Sequence, residues 1–542
     1  MAALARRPRG AFVLIGFMGA GKSTVARRLA HELGVRARDS DALLEERLGH
    51  SLAEEFERAP VGAAVGAQGS APATRPGGES AFRAKEEELV CELLARAQPG
   101  GVIALGGGSV LSERVRLALR EHVVLLLDVE PEEAWRRVRS GGAERPLARD
   151  RRAFFALHAE RAPLYERLAD AHLRGLEPPG VARALGALTA LALAPRGSRM
   201  LWASSASGTY PVLVGRGLLR ALGTPVLARA WGLEGSRAFC VSDENVAELF
   251  GRGLDGLLGS IALAPGEASK TLASAERVWR AMVDAGVSRG DHVLALGGGV
   301  IGDLAGFCAA AYQRGIPVVH VPTTLLAQVD SAYGGKTGVD LPQAKNYIGA
   351  YHQPSGVLAD PDALATLPAE ELAAGWVEVL KTALIAGGEL WERVAHSEQP
   401  DESMILACAR LKLSVVAADE RDAGQRQILN LGHTVGHAIE AASGYARYRH
   451  GEAVGLGLLA ALRLSGREGL REQVRELLAA RGLPVALDRQ LDVSAVVQAI
   501  AHDKKRVREG VPFVLLRAPG DVRFGQLLPA EDVRAAVAEL AQ

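Results

Sequence analysis

Residues 16–23 read GFMGAGKS, a G-x-x-x-x-G-K-[ST] loop set directly after an apolar run at 11–15 and directly before a helical stretch. This arrangement constrains the fold more than any other feature of the chain. Gly19 and Gly21 let the backbone turn tightly, so that successive N–H groups converge on a phosphate, and the following helix adds its N-terminal dipole. Lys22 is placed for the β- and γ-phosphates of a nucleotide and Ser23 for a Mg2+ ion, with Thr24 beside them. A strand feeding a helix through such a loop implies a parallel sheet covered by helices. Arg6, Arg7 and Arg9 before the apolar run imitate a secretion signal. No small-residue cleavage site separates the run from the loop, so a first β-strand is the better reading.

The same alternation continues. Apolar runs at 101–105 and 123–127 read as buried strands, and the pattern repeats at 210–214, 238–242, 292–296 and 318–321. Beyond 365 helical patterns dominate until PFVLLR at 512–517. The expected organisation is a phosphate-loop α/β domain over 1–175, a linker at 176–206, a second α/β domain over 207–365 and a mostly α-helical domain over 366–542. Residues 59–77 are nearly all small, with no apolar periodicity, and read as a mobile insertion. With 48% hydrophobic and 23% charged residues the chain is not disordered. Lys plus Arg and Asp plus Glu both number 63, which argues against a globally basic nucleic-acid protein. The uncharged run at 184–195 is too short to span a membrane. Cys91, Cys240, Cys308 and Cys408 form no CxxC pair, which fits a reducing, cytoplasmic setting.

A phosphate loop does not say which group accepts the phosphoryl. After it come Asp39 and Asp41, then Phe82, Arg83 and Glu86, then Gly106-Gly107-Gly108, then Arg145-Pro146-Leu147 and RAPLYERLA with Arg161. Over residues 10–174 this series resembles shikimate kinase. Shikimate is a small carboxylated polyol, so its site needs guanidinium groups for the carboxylate and an acceptor for the hydroxyls. The resemblance gives the first task to Arg83 and Arg161 and the second to Asp41, which also serves as base or orienter. It places Gly106, Gly107 and Gly108 at the acid, Asp39 with Ser23 at the Mg2+ ion, and Arg145 on a closing lid over ATP. The insertion at 59–77 departs from the pattern just before Arg83.

In the second half, Gly297, Gly299 and Gly302 form a G-x-G-x-x-G after a strand. The next strand ends in Pro322-Thr323-Thr324 with no carboxylate, so the dinucleotide fingerprint is incomplete. His433 and His437 share one face of a helical pattern, His450 follows, and Glu378 lies upstream. Three ligands drawn from Glu and His with one position open describe a catalytic zinc site. PGEASKT, GGGVIGDLAGF, VDSAYGGKTGVD, AKNYIGAY, VEVLKTALI, RQILNLGHTVGHAIEA and HDKK together resemble 3-dehydroquinate synthase over 207–540. The resemblance implies a Zn2+ ion, or Co2+ in its place, on Glu378, His433 and His450, and gives His437 to the substrate. It makes 207–365 an NAD-binding domain, with contacts from Asp243, Glu267, Lys270, Gly298, Gly299, Asp303, Thr323, Thr324, Lys336 and Lys345. The interval from His433 to His450 is one residue longer than usual for that family.

The substrate of such an enzyme carries a carboxylate and a phosphate, and a cage of cations suits it. Lys336, Lys381, Lys412, Arg426 and Arg314 match the family's charged positions, with Asp330, Asn346 and Asn430 in support and Lys504 or Lys505 closing the pocket. The resemblance gives the catalytic work to Asp330, Lys336, Lys381, Lys412, Arg426 and His437. The expected whole is a fused enzyme acting on small molecules, with neither nucleic acid nor membrane as partner and room for a homodimer through the C-terminal half. Other readings make the first half an ATP-binding regulatory module. They make the second another sugar-phosphate cyclase or a metal-dependent polyol dehydrogenase, the last leaving the lysine cage unexplained.

Overall fold

The computed structural model describes residues 9–57, 78–140, 150–251, 254–396, 399–501 and 511–541. The segment 59–77, Arg145, Lys504 and Lys505 lie outside the described residues. The chain forms two compact units, one of residues 1–202 with 224–234, the other of 203–223 with 235–542.

In the first unit, β1 (Phe12–Ile15), β2 (Ala37–Asp39), β3 (Val102–Ala104), β4 (Val123–Leu126) and β5 (Ala171–His172) lie in the order β2-β3-β1-β4-β5, all parallel. The chain leaves β1 for a neighbour on one side and later returns to the other. The carboxyl end of β1 is therefore the switch point where α/β sheets bind ligands, and the phosphate loop is there. Val13, Ile103, Val124 and Phe154 fill the core against the flanking helices.

Residues 176–202, expected as linker, are built into this unit. The Ala/Leu-rich helix Val181–Leu193 buries Ala184, Ala187, Leu188 and Leu191, and β6 (Arg199–Ser205) adds Met200 and Leu201 alongside β5. An apolar helix of this length stabilises itself by burial, which a spacer has no means to provide. The segment 224–234 also groups with this unit rather than with the α/β domain that follows.

The second unit holds β7 (Gly208–Val214), β8 (Ala238–Asp243), β9 (Gly259–Leu263), β10 (His292–Gly297), β11 (Val318–Pro322) and β14 (Gly356–Ala359) in the parallel order β7-β14-β11-β10-β8-β9. An antiparallel hairpin of β12 (Lys336–Leu341) and β13 (Ala344–Tyr351) interrupts the alternation. From Ala369 to Ala501 the regular structure is helical, and β15 (Phe513–Ala518) and β16 (Asp521–Gln526) form a second hairpin. Among the described residues no helix is long and apolar enough to cross a membrane.

Candidate active sites

In the first unit Gly21 caps the helix Lys22–Glu32 at φ 90°, a left-handed position that a side chain would strain. Lys22 Nζ donates to the loop carbonyls of Gly16 at 2.9 Å and Phe17 at 3.1 Å. Ser23 and Thr24 are exposed at the helix start. Asp39 ends β2, and its Oδ1 accepts from the backbone N–H groups of Asp41 and Ala42, so the residue expected at the metal ion also anchors the turn that carries Asp41. Ser40 Oγ accepts from Gly106 N–H at 2.8 Å and ties this turn to the glycine triplet.

The triplet is glycine because other side chains crowd it. A Cβ on Gly106 would lie 2.4 Å from Asp41 Oδ1, and one on Gly108 would lie 2.0 Å from Arg83 Nη1. Asp41 and Arg83 thus reach the same short loop from different helices. Arg83 pairs with the buried Glu86 at 2.6 Å, and Ser109 Oγ donates to the other Glu86 oxygen at 2.7 Å. From the helix Arg151–Leu168, Tyr165 donates its hydroxyl proton to Gly107 O at 2.6 Å. Arg161, one turn earlier, is buried with its Nε unpartnered. An unpaired buried guanidinium N–H is costly unless a ligand completes it. Ser40, Ser109 and Tyr165 were not singled out in the sequence, although Tyr165 stands at i+4 from Arg161.

In the second unit the helix Gly299–Ala311 begins where β10 ends, with Gly298 packed against Thr324. Thr323 at the end of β11 is buried with an unpartnered hydroxyl. Asp243 ends β8, the strand beside β10, and caps the helix Glu244–Phe250. A carboxylate therefore stands at the neighbouring strand end, upstream of where the motif would have put it. Lys270 is buried between Glu267 at 2.8 Å and Asp303 at 3.3 Å, with Asp340 at 3.9 Å. Burial alone would lower its pKa, but the carboxylates outweigh it and the ammonium is held protonated. Burial pushes Asp303 up to about 6 despite Lys270.

Asp330 lies on a π-helical turn, Ala327–Ser331, a distortion common at functional sites. Its carboxylate pairs with Lys412 and lies 3.7 Å from Lys381, which also contacts Glu378 at 2.5 Å. Burial raises the Asp330 pKa, and the two ammonium groups outweigh it and hold it at about 2. Arg426 is buried and donates to the carbonyls of Glu420 and Gly334. Lys336 pairs with Asp422 at 2.6 Å. Asn346, at φ 55°, binds Asp340 through its N–H, and Asn430 ends the turn before His433. Arg314 is not brought to this cluster. It sits on the turn after the C-terminus of the 13-residue helix whose N-terminus carries Gly299, about 20 Å along the axis. Its place at the N-terminal edge of β11 follows from strand direction, which the motif string does not reveal.

Three helices supply the residues expected to ligate the metal. Glu378 comes from Ala369–Ala386, His433 opens His433–Ala442, and His450 opens His450–Leu464. Glycines let them approach: a Cβ on Gly451 would lie 2.0 Å from Ala374 O, and one on Gly457 would lie 2.0 Å from Gly432 O. Glu378 is fully buried; its Oε2 pairs with Lys381 Nζ at 2.5 Å, and its Oε1 has no hydrogen-bond partner. Nε2 of His433 and of His450 stand 3.7 and 3.5 Å from its Oε1. One nitrogen each of His433, His437 and His450 lies within 4.8 Å of the others. A buried carboxylate oxygen without a hydrogen-bond partner, facing two imidazole nitrogens, fits a divalent cation.

The family models described as 3-dehydroquinate synthase N-terminal and C-terminal match residues 260–374 and 375–506. The 3-dehydroquinate synthase of Symbiobacterium thermophilum is 44% identical over 334 residues, 58% of this chain and 92% of its own. This chain belongs to the 3-dehydroquinate synthase family. That of Methylococcus capsulatus is 45% identical over 348 residues, 60% of this chain and 95% of its own. The shikimate kinase family model matches residues 18–61 and 71–183, ahead of the part that matches the 3-dehydroquinate synthase models. Among solved structures, a 2-epi-5-epi-valiolone synthase from Streptomyces hygroscopicus with NAD+ and Zn2+ bound is 29% identical. Its TM-score is 0.54, over 61% of this chain and 96% of its own.

Proposed function

We infer that the chain is a bifunctional shikimate-pathway enzyme. One activity phosphorylates shikimate to shikimate 3-phosphate with ATP. The other converts 3-deoxy-D-arabino-heptulosonate 7-phosphate to 3-dehydroquinate and phosphate with NAD and a divalent metal. The observation that carries this reading is that each unit assembles its own acid- and cation-bearing site beside its own cofactor-binding glycines.

In the kinase, Arg83 and Arg161 bind the shikimate carboxylate, and Asp41 accepts the proton of the attacking hydroxyl or orients it. Lys22 leaves the loop carbonyls for the transferring phosphoryl, with Arg145 of the lid facing it, and Ser23 and Asp39 hold Mg2+. In the synthase, Glu378, His433 and His450 would hold Zn2+, with Co2+ as a substitute, which supplies a Lewis acid for one substrate hydroxyl. NAD, held by Asp243, Glu267, Lys270 and the Gly298 loop, supplies a hydride acceptor and donor. Lys381, Lys412, Arg426 and one of Lys504 and Lys505 bind the carboxylate and phosphate of the sugar, and His437 moves a proton during phosphate loss. The choice of sugar phosphate rests on the relatives at 44 and 45% identity. A cytoplasmic site fits the four free cysteines, of which Cys240, Cys308 and Cys408 are buried.

Both activities should appear on one purified sample: ATP-dependent consumption of shikimate, and NAD-dependent phosphate release from the sugar phosphate. Failure of either assay on folded, metal-loaded protein refutes that half of the reading.

A further inference from the structure

Glu440 has no task in the motifs, yet it is 2% exposed at i+7 from His433 and i+3 from His437 on their helix. A buried carboxylate is retained only when cations or N–H groups meet both oxygens. Here Oε1 accepts from Lys345 Nζ at 3.2 Å, and Oε2 lies 3.5 Å from His450 Nδ1. Lys345 is itself pinned, over the Tyr445 ring at 4.7 Å and 3.9 Å from Glu267. The Glu440 carboxylate therefore cannot rotate away from the imidazole without leaving the ammonium.

The two ring nitrogens of His450 stand between two carboxylates, Nε2 toward Glu378 and Nδ1 toward Glu440. His433 shows the same division by other means, with its Nδ1 3.2 Å from Leu431 O and its Nε2 toward Glu378. A neutral imidazole that coordinates through Nε2 must carry its proton on Nδ1, and the acceptor of that proton fixes tautomer and ring plane. His433 has a backbone carbonyl for this. For His450 the group in that position is Glu440.

We propose that Glu440 is a positioning residue that holds His450 as the Nδ1–H tautomer, so that Nε2 is presented to the metal. The proposal rests on the reading of Glu378, His433 and His450 as ligands. The test uses the full chain, stripped of metal and titrated with Zn2+ against a chromophoric chelator, for Glu440→Ala, Glu440→Gln and His450→Ala. Glu440→Ala should weaken zinc about 10–100-fold, with the far-UV spectrum unchanged. Glu440→Gln keeps an acceptor for Nδ1–H and should recover most of that affinity, which a merely structural loss would not allow. Wild-type affinity in Glu440→Ala, or no recovery in Glu440→Gln, overturns the proposal while His450→Ala still loses zinc. Wild-type affinity in His450→Ala instead removes the ligand reading itself, and the proposal with it.

Discussion

His433 and His437 are one helical turn apart, and each places a ring nitrogen in the same three-histidine cluster. Spacing alone therefore does not choose between them. The difference lies with Glu378, whose unpartnered Oε1 faces Nε2 of both His433 and His450. His433→Ala and His450→Ala are expected to lose zinc and turnover together, whereas His437→Ala should retain about one zinc per chain and lose rate. Metal analysis beside phosphate-release kinetics decides it, and an empty His437→Ala with a loaded His450→Ala reverses the assignment. In the kinase, Tyr165→Phe removes the donor to Gly107 O. A hydrogen bond of this kind is worth about 1 kcal/mol, so the KM for shikimate should rise about fivefold with a smaller change in kcat. An unaltered KM would show that the triplet holds its shape without the tyrosine.

Gly451 and Gly457 act through the helices that carry the ligands. Each lies where a Cβ would press into the backbone of a crossing helix or its cap, at Ala374 O and Gly432 O. Gly457→Ala must push the helix His450–Leu464 away from His433, and overpacking of this kind costs about 1–3 kcal/mol. The expected outcome is weaker zinc binding together with a lower Tm. A variant that binds zinc like the parent would show that the helices tolerate the shift. Nothing in the sequence pattern marks these glycines, because their necessity comes from a neighbour distant along the chain. The phosphate loop and the strands β1, β4, β8, β10 and β11 were legible because local pattern suffices for them. β2 and β5 were not, since Ala-Arg-Asp and Ala-His are not apolar runs, nor was the hairpin of β12 and β13, whose second strand is largely exposed. The shikimate kinase family model passes over residues 62–70, the middle of the 59–77 segment. A segment of nearly all small residues has little apolar surface to bury, so deleting 60–76 should change kinase kcat and shikimate KM by less than about tenfold, and a folded but inactive deletion would give the segment a role at the acceptor site.

At the scale of the molecule, Lys22→Ala is expected to abolish shikimate phosphorylation and leave phosphate release nearly unchanged, since the two units share none of the proposed site residues. Parallel loss of both activities in a folded variant would contradict this. The second unit should also have an acid limit of its own. His292 on β10 and His320 on β11 are buried, and burial lowers each to about 4, outweighing the attraction of Asp291 on His292 and reinforced at His320 by His352. An unfolded histidine takes its proton near pH 6.5. Because the folded pKa values are depressed, the contribution of these neutral rings is complete above about pH 6.5 and is lost as pH falls toward 4. Each shift corresponds to about 3 kcal/mol, so the two rings should cost the unit several kcal/mol across that window. Urea unfolding followed by far-UV circular dichroism at pH 7, 6, 5 and 4 measures the slope. His320→Gln should be less stable at pH 7 but lose less between pH 6.5 and 4, by about 1.4 kcal/mol per pH unit. A variant with the parent's slope would mean that His320 takes no part in the acid limit.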